Sequence, residues 1–174
     1  FALVCEDDAR FIGSLPPRMM NFGFPASFDL AFCNQRMGDG FLDSPIANLE
    51  KGLAFHSAFL AAQKNISDGR KMNSVGTDGY FVSCEGARKL LDIISRLKIS
   101  MEVDWFIFFH SLSQEERQYF MKIDKSGRFG MLEFDNLKIN GFVMTPSLIE
   151  QSTENSTIAF DNPKNYILRE AMRG

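Results

Sequence analysis

Basic clusters, cysteine pairs, closely spaced histidines and long apolar runs are all missing from this sequence, and each absence removes a class of function. Nineteen Lys and Arg stand against 22 Asp and Glu, a formal net charge of -3. No basic run is long enough to track a phosphate backbone, so no nucleic-acid partner is expected. Cys5, Cys33 and Cys84 are the three cysteines. Odd in number and without a C-x-x-C pair, they predict reduced thiols rather than disulfide, zinc or redox work. The two histidines, His56 and His110, fall in no ligand spacing and read as structural, His110 as a cation at a helix end. No stretch approaches the roughly 20 apolar residues that span a bilayer, and the first residues lack the charged and apolar regions of a signal peptide. These absences predict a soluble protein of a reducing compartment.

Phenylalanine, by contrast, is abundant: 18 Phe stand against three Tyr and one Trp. Many of those rings are expected in a core. A chain of 174 residues fits one ordinary domain, able to bury about 70% of the surface that its unfolded form exposes. Residues 1–174 are therefore read as a single domain. Ala2-Leu3-Val4-Cys5 reads as a buried strand from the first residue, an odd place for a domain to begin, so an upstream segment is expected.

The opening strand stops at Glu6-Asp7-Asp8, which puts acids at a strand's carboxyl end, the usual entrance to an α/β ligand site. Pro16-Pro17 and the 23–25 segment punctuate the next stretch of chain, with a short helix between them, before 28–33 gives a second apolar strand. Residues 34–54 look like loop, and 53–62 mix helical with strand spacing, which leaves that segment open. Tyr80-Phe81-Val82 is a strand. Ser83 is placed to cap the helix after it, with Glu85 in the first turn and Ala87, Leu90, Leu91 and Ile94 along one face. A further helix begins near Asp104 and another covers 113–123, where Ser113 and Glu116 form a capping box. Phe142-Val143-Met144 is strand-like and ends at Thr145-Pro146, and the remainder is polar and loop-rich.

Glu6 and Asp8 flank Asp7 in an acid-x-acid spacing suited to a divalent cation. A departing diphosphate accumulates negative charge, and a hard cation held by carboxylates and bridging phosphate oxygens stabilises it. Three adjacent acids also repel one another, so without a cation the arrangement is costly. The bland alternative is a solvated acidic turn after a strand. Asp78 sits between Gly76 and Gly79, where a backbone can approach a ligand closely, or is a plain turn aspartate. Asp104 either faces a reaction centre or caps the helix of Trp105-Phe106-Ile107-Phe108-Phe109. Residues 124–135 echo a calcium-binding EF-hand loop, but Arg128 stands where a ligand oxygen is needed and Phe129 where the turn demands Gly, so calcium is not expected there. Asn65-Ile66-Ser67 and Asn155-Ser156-Thr157 are glycosylation sequons in form and mean something only in a secretory context.

Leu3-Val4-Cys5-Glu6-Asp7-Asp8-Ala9 resembles the signature of the family 25 glycosyltransferases, in which an apolar strand runs into Glu-Asp-Asp. Further blocks follow in the family's order. Phe28-Asp29-Leu30-Ala31-Phe32 resembles its next core strand. Gly76-Thr77-Asp78-Gly79-Tyr80-Phe81-Val82-Ser83, with Gly86-Ala87-Arg88-Lys89-Leu90-Leu91, resembles its central Gly-Tyr strand and helix, the most specific of the matches. Val103-Asp104 resembles its short Pro-Ile/Val-Asp element, and Pro146-Ser147-Leu148-Ile149-Glu150-Gln151 through Ser156-Thr157-Ile158 its closing Pro, Gln and Ser-x-Ile pattern. The resemblance spans nearly the whole chain. Glu102 stands where the family often has Pro, and the family's amino-terminal portion, with its first strands and part of the donor nucleotide site, has no counterpart.

That resemblance implies an α/β, GT-A-like nucleotide-sugar transferase fold lacking its amino-terminal strands, the carboxy-terminal catalytic part of such an enzyme. It implies an inverting, metal-dependent transfer of a sugar, galactose being the commonest in the family, from a UDP-sugar to a glycan such as lipopolysaccharide or lipooligosaccharide. Glu6, Asp7 and Asp8 would form the diphosphate and metal site, Glu6 and Asp8 holding Mn2+, or Mg2+ in its place. Asp104 or Asp78 would deprotonate or orient the acceptor hydroxyl, and Gly76, Thr77, Gly79 and Tyr80 would line the acceptor or donor pocket. A cytoplasmic enzyme, peripheral at the inner membrane, is the matching location, with the secretory lumen as the alternative in a eukaryote. The rival expectation is a truncated, non-catalytic transferase-like module that binds glycan or a protein partner.

Overall fold

Leu30, Ala31 and Phe32 are wholly buried, and the rest of the fold is arranged around the strand they form. The structure is a computed structural model that describes residues 1–12, 23–38, 54–67 (backbone alone at 65–67), 76–99, 101–123, 134 and 137–151. In chain order its elements are β1 (Ala2–Cys5), β2 (Ala9–Phe11), β3 (Leu30–Phe32), α1 (Gln35–Gly38), β4 (Ala54–Ser57), α2 (Ala58–Ser67), β5 (Gly79–Val82), α3 (Cys84–Leu97), α4 (Val103–His110), α5 (Gln114–Ile123), β6 (Gly141–Thr145) and β7 (Ile149–Gln151).

The fold is mixed α/β. Its main sheet has five strands in the order β1-β5-β3-β6-β4. Within it β3 and β6 run parallel, with Phe32 beside Val143, and the other neighbours are antiparallel. A two-stranded sheet pairs β2 with β7, Ala9 opposite Gln151.

Strand residues point alternately to opposite faces, and both faces are covered here. Leu30, Phe32, Tyr80, Val82 and Val143 join the helices in the larger core, while Ala31, Phe81 and Met144 face a smaller one built with Leu148, Ile149, Phe24 and Phe28. A strand covered on both sides needs apolar residues at every position, which is why Leu30 to Cys33 is an uninterrupted apolar run. Phe24 and Phe28 stack with centroids 4.2 Å apart, and Phe1 meets Phe24, Phe28 and Phe81 edge-on.

On the helical face, Trp105 through His110 are all buried, as expected of a helix that is apolar all round. Phe108 packs edge-to-face on Phe120 and Phe109, at 5.5 and 5.7 Å. His110 is the last residue of this helix; its Nδ1–H donates to the Phe106 carbonyl at 2.8 Å, and its ring lies against Phe106 and Phe134. The capping predictions hold. Gly86 N–H donates to Ser83 Oγ at 2.9 Å; Glu116 N–H donates to Ser113 Oγ at 3.2 Å, and Ser113 N–H returns a bond to Glu116 Oε2 at 2.6 Å.

Several expectations are corrected. The strand at Ala2–Cys5 exists, but as an edge strand whose Phe1 is 69% and Val4 38% exposed, because a lone neighbour, β5, flanks it among the described residues. The mixed spacing of 53–62 is a junction: β4 passes directly into α2 at Ala58. Within 34–54, residues Gln35–Gly38 are helical rather than loop. Leu90 and Ile94 of the expected face do pack on the core, but Leu91 is 68% exposed and the buried face of α3 takes in Gly86 and Ile93. Gly86 sets that rotation, since a Cβ there would lie 2.2 Å from the Asp29 carbonyl oxygen, so the helix rests directly on backbone. Burial of Leu90 and Ile93 then contributes about 1.5–3 kcal/mol each. Lys89, on the same helix, donates to Asp29 Oδ2 at 2.7 Å, which also accepts from Asn140 N–H at 2.8 Å. Among the described residues no helix is long and apolar enough to cross a membrane. The 16–17 prolines, the EF-hand-like 124–135 loop apart from Phe134, the sequon side chains at 65–67 and the 155–157 sequon lie outside the described residues.

Candidate functional site

The acids gather where β1 and β3 end and β5 begins. Cys5 is paired with Gly79, and one step further the Glu6 N–H donates to the Asp78 carbonyl at 3.1 Å. On the other side of β5, Cys33 N–H donates to the Gly79 carbonyl at 3.0 Å, which brings Asn34 and α1 to the same edge. The entry to β5, residues 76–78, is thus enclosed by the exits of two neighbouring strands.

Thr77 is the meeting point. Its Oγ1 lies 3.2 Å from Glu6 Oε1 and in short contact with Asp104 Oδ1. A hydroxyl has one proton to donate, so Thr77 can bond fully to only one of the two carboxylates at a time. Asp104 arrives in the first turn of α4, where the helix dipole favours a negative charge. The N-cap position is Glu102, which makes no side-chain cap, so Asp104 is a first-turn residue engaged with Thr77 and not the cap. Burial raises the Glu6 carboxyl above its ordinary value, the charges of Asp104 and Asp78 raise it further, and the Thr77 hydrogen bond and Arg36 oppose them. The Tyr80 phenol is raised too, by burial first and then by the charges of Asp104 and Glu6.

Asp78 is fully buried and forked by Arg36: Arg36 Nε donates to its Oδ2 at 2.8 Å and Nη2 to its Oδ1. Burial works against the Arg36 charge, but the bonds and charge of Asp78, with Asp104 and Glu6, outweigh it and hold the guanidinium above its ordinary value. Gly76 and Gly79 are close approaches made by the chain itself. A Cβ at Gly76 would fall 2.2 Å from Arg36 Nη2, and one at Gly79 would fall 2.2 Å from Ile149 Cδ1.

The acidic triplet divides. Glu6 is half-buried and faces Thr77, Asp7 is exposed, and Asp8 is buried where β2 pairs with β7. Gln151 Nε2 donates to Asp8 Oδ2 at 3.0 Å, and Asp8 Oδ1 has no hydrogen-bond partner among the described residues. A buried acceptor left unmatched costs about 1–3 kcal/mol, and a cation would satisfy it. Small divalent ions of the Mg2+ kind are typically held by one or two carboxylates together with substrate phosphates. Among the described residues no group of three or more His, Cys, Asp or Glu is arranged as metal ligands.

Of the residues singled out in the sequence, Glu6, Thr77, Asp78, Tyr80 and Asp104 share one neighbourhood, while Asp8 stands to one side with Gln151 and Asp7 faces solvent. Arg36 and Asn34 are additions from the structure. The signal for them is the one that marks Glu6: polar residues at the exit of a buried apolar strand, here 34–36 after 28–33. Compared with models of protein families, with curated proteins and with solved structures, the chain matches none.

Proposed function

We propose that this chain is the catalytic portion of a metal-dependent, inverting glycosyltransferase of GT-A-like fold, moving a sugar, galactose by the sequence resemblance, from a UDP-sugar to a surface glycan. The observation that carries the reading is the convergence of Glu6 and Asp104, from distant parts of the chain, on the single hydroxyl of Thr77 at the strand ends. A divalent cation on Asp8 and Glu6 would supply Lewis-acid stabilisation of the diphosphate. The residues of the chain do the rest. Asp104 is the carboxylate for the acceptor, because Asp78 is wholly buried and committed to Arg36. The acceptor oxygen forms a bond to the anomeric carbon from the face opposite the diphosphate, the bond to the diphosphate oxygen breaks with its electron pair leaving on UDP, and the acceptor proton passes to Asp104. Thr77 fixes the carboxylate that receives it.

The test is release of UDP from a panel of UDP-sugars with Mn2+ or Mg2+, with and without glycan acceptors, in the full-length natural protein. Asp104→Asn is expected to lower turnover by about 10²–10⁴-fold, the ordinary contribution of a general base. Absence of turnover across the panel would sink the enzyme reading in favour of a glycan-binding module.

A further inference from the structure

Arg36 reaches the site from α1, the short helix that follows β3. Its guanidinium forks the buried Asp78 and lies close against Gly76, where a Cβ would come within 2.3 Å of Cζ. Two residues earlier, Asn34 Nδ2 donates to the Gly76 carbonyl at 2.5 Å, while its Oδ1 accepts from the Met37 N–H at 2.9 Å. Residues 76 and 78 are therefore each gripped by a side chain from the same turn. Thr77, between them, is the residue whose hydroxyl meets Glu6 and Asp104. Three carboxylates this close repel one another, and Arg36 stands in the field of all of them.

We infer that Arg36 is a positioning residue of this site: through Gly76 and Asp78 it fixes Thr77 between Glu6 and Asp104, and its charge lets those carboxylates face one hydroxyl. The inference rests on Glu6 and Asp104 being the working groups of the proposed transferase, but its first test needs no turnover. A guanidinium that merely packs would be indifferent to Asp104. One that balances the cluster is not, and its loss is eased when Asp104 loses its charge. Geometry matters as well as charge, because a lysine keeps the cation but cannot reproduce the fork.

The experiment is a double-mutant cycle read by thermal unfolding. Arg36→Gln is expected to lower Tm by roughly 5–15 °C, and adding Asp104→Asn to return about 2–4 °C of that loss. Additive effects overturn the inference. If Arg36→Gln alone does not fold, recovery of a cooperative transition in the double variant supports it, and failure of the double variant counts against it. Where the wild-type protein turns over a UDP-sugar, Arg36→Lys is expected to lower kcat by about tenfold or more with the donor KM within about twofold, the mark of a group acting in the transition state rather than in binding. An unchanged kcat overturns the positioning role. Coupling without any wild-type turnover would leave the role of Arg36 standing and sink the transferase reading instead.

Discussion

The helix at Val103–His110 belongs to two regions built on opposite principles. From Trp105 to His110 it lies in an aromatic core, where each ring touches several others and the loss of one contact is shared. One residue earlier, Asp104 enters a cluster of acids held in place by a handful of directed bonds to Thr77, Asp78 and Arg36. Packing tolerates error in proportion to the area lost, whereas a charge cluster fails at once when a partner goes. The helix needs both: the core fixes its axis firmly enough that the carboxylate in its first turn stays where the hydroxyl can meet it.

The comparison can be broken from either side. The largest effect is expected on the core side, where Phe108→Ala should cost about 3–5 kcal/mol in urea unfolding. A loss under about 1 kcal/mol would mean that the aromatic cluster is far looser than its contacts imply. On the polar side, Asp78→Ala removes the carboxylate that Arg36 forks and should cost about 2–3 kcal/mol, at the low end for a buried pair because the Arg36 side chain is 32% exposed. Asp78→Ala with Arg36→Met should recover much of that; if it does not, the pair is not what holds 76–78. The smallest effect sharpens the contrast by its sign. The Glu6 carboxyl is raised above its ordinary value of 4.5, first by burial, so the folded state keeps a proton that the unfolded chain releases. Native stability therefore declines as pH climbs from that ordinary value through the raised one, and is unaffected well below it. Glu6→Gln should accordingly raise Tm at about pH 7 and lose that advantage toward about pH 4. A variant less stable at both would show that the charge of Glu6 is welcome in the ligand-free site.

What could be read from the sequence depended on range. Ser83 and Ser113 cap helices through bonds that span three residues, so their local pattern was sufficient. The strands at 30–32 and 142–144 were legible because burial on both sides demands unbroken apolar runs. The face of α3 was not, since Leu91 and Ile93 compete on spacing alone and the choice is made by the backbone of Asp29 pressing on Gly86. The exposure of β1 was hidden for the same reason, because an edge position is a property of the sheet and not of Ala2–Cys5. Of the site, the acids announced themselves by type and by their place after a strand. Which of them would be neutralised could not be read, because Arg36 and Asp78 lie 42 positions apart in the chain and meet only when β3 and β5 pair. Asp104 could not be told from a helix cap until Thr77, another distant residue, was seen to hold it.

The pairing of β2 with β7 has a consequence for the order of assembly. Asp8 takes its bond from Gln151, 143 positions downstream, so a ribosome has made the acidic turn long before it makes the strand that locks it. Contacts of such long separation form late, after the chain between them has been closed into a loop. Every other part of the Glu6 neighbourhood, Arg36, Thr77, Asp78 and Asp104, is already synthesised when β7 emerges. A nascent chain released short of residue 151 therefore carries the acids without the clasp that seats Asp8, and that carboxylate is fixed only after the rest of the cluster has been made.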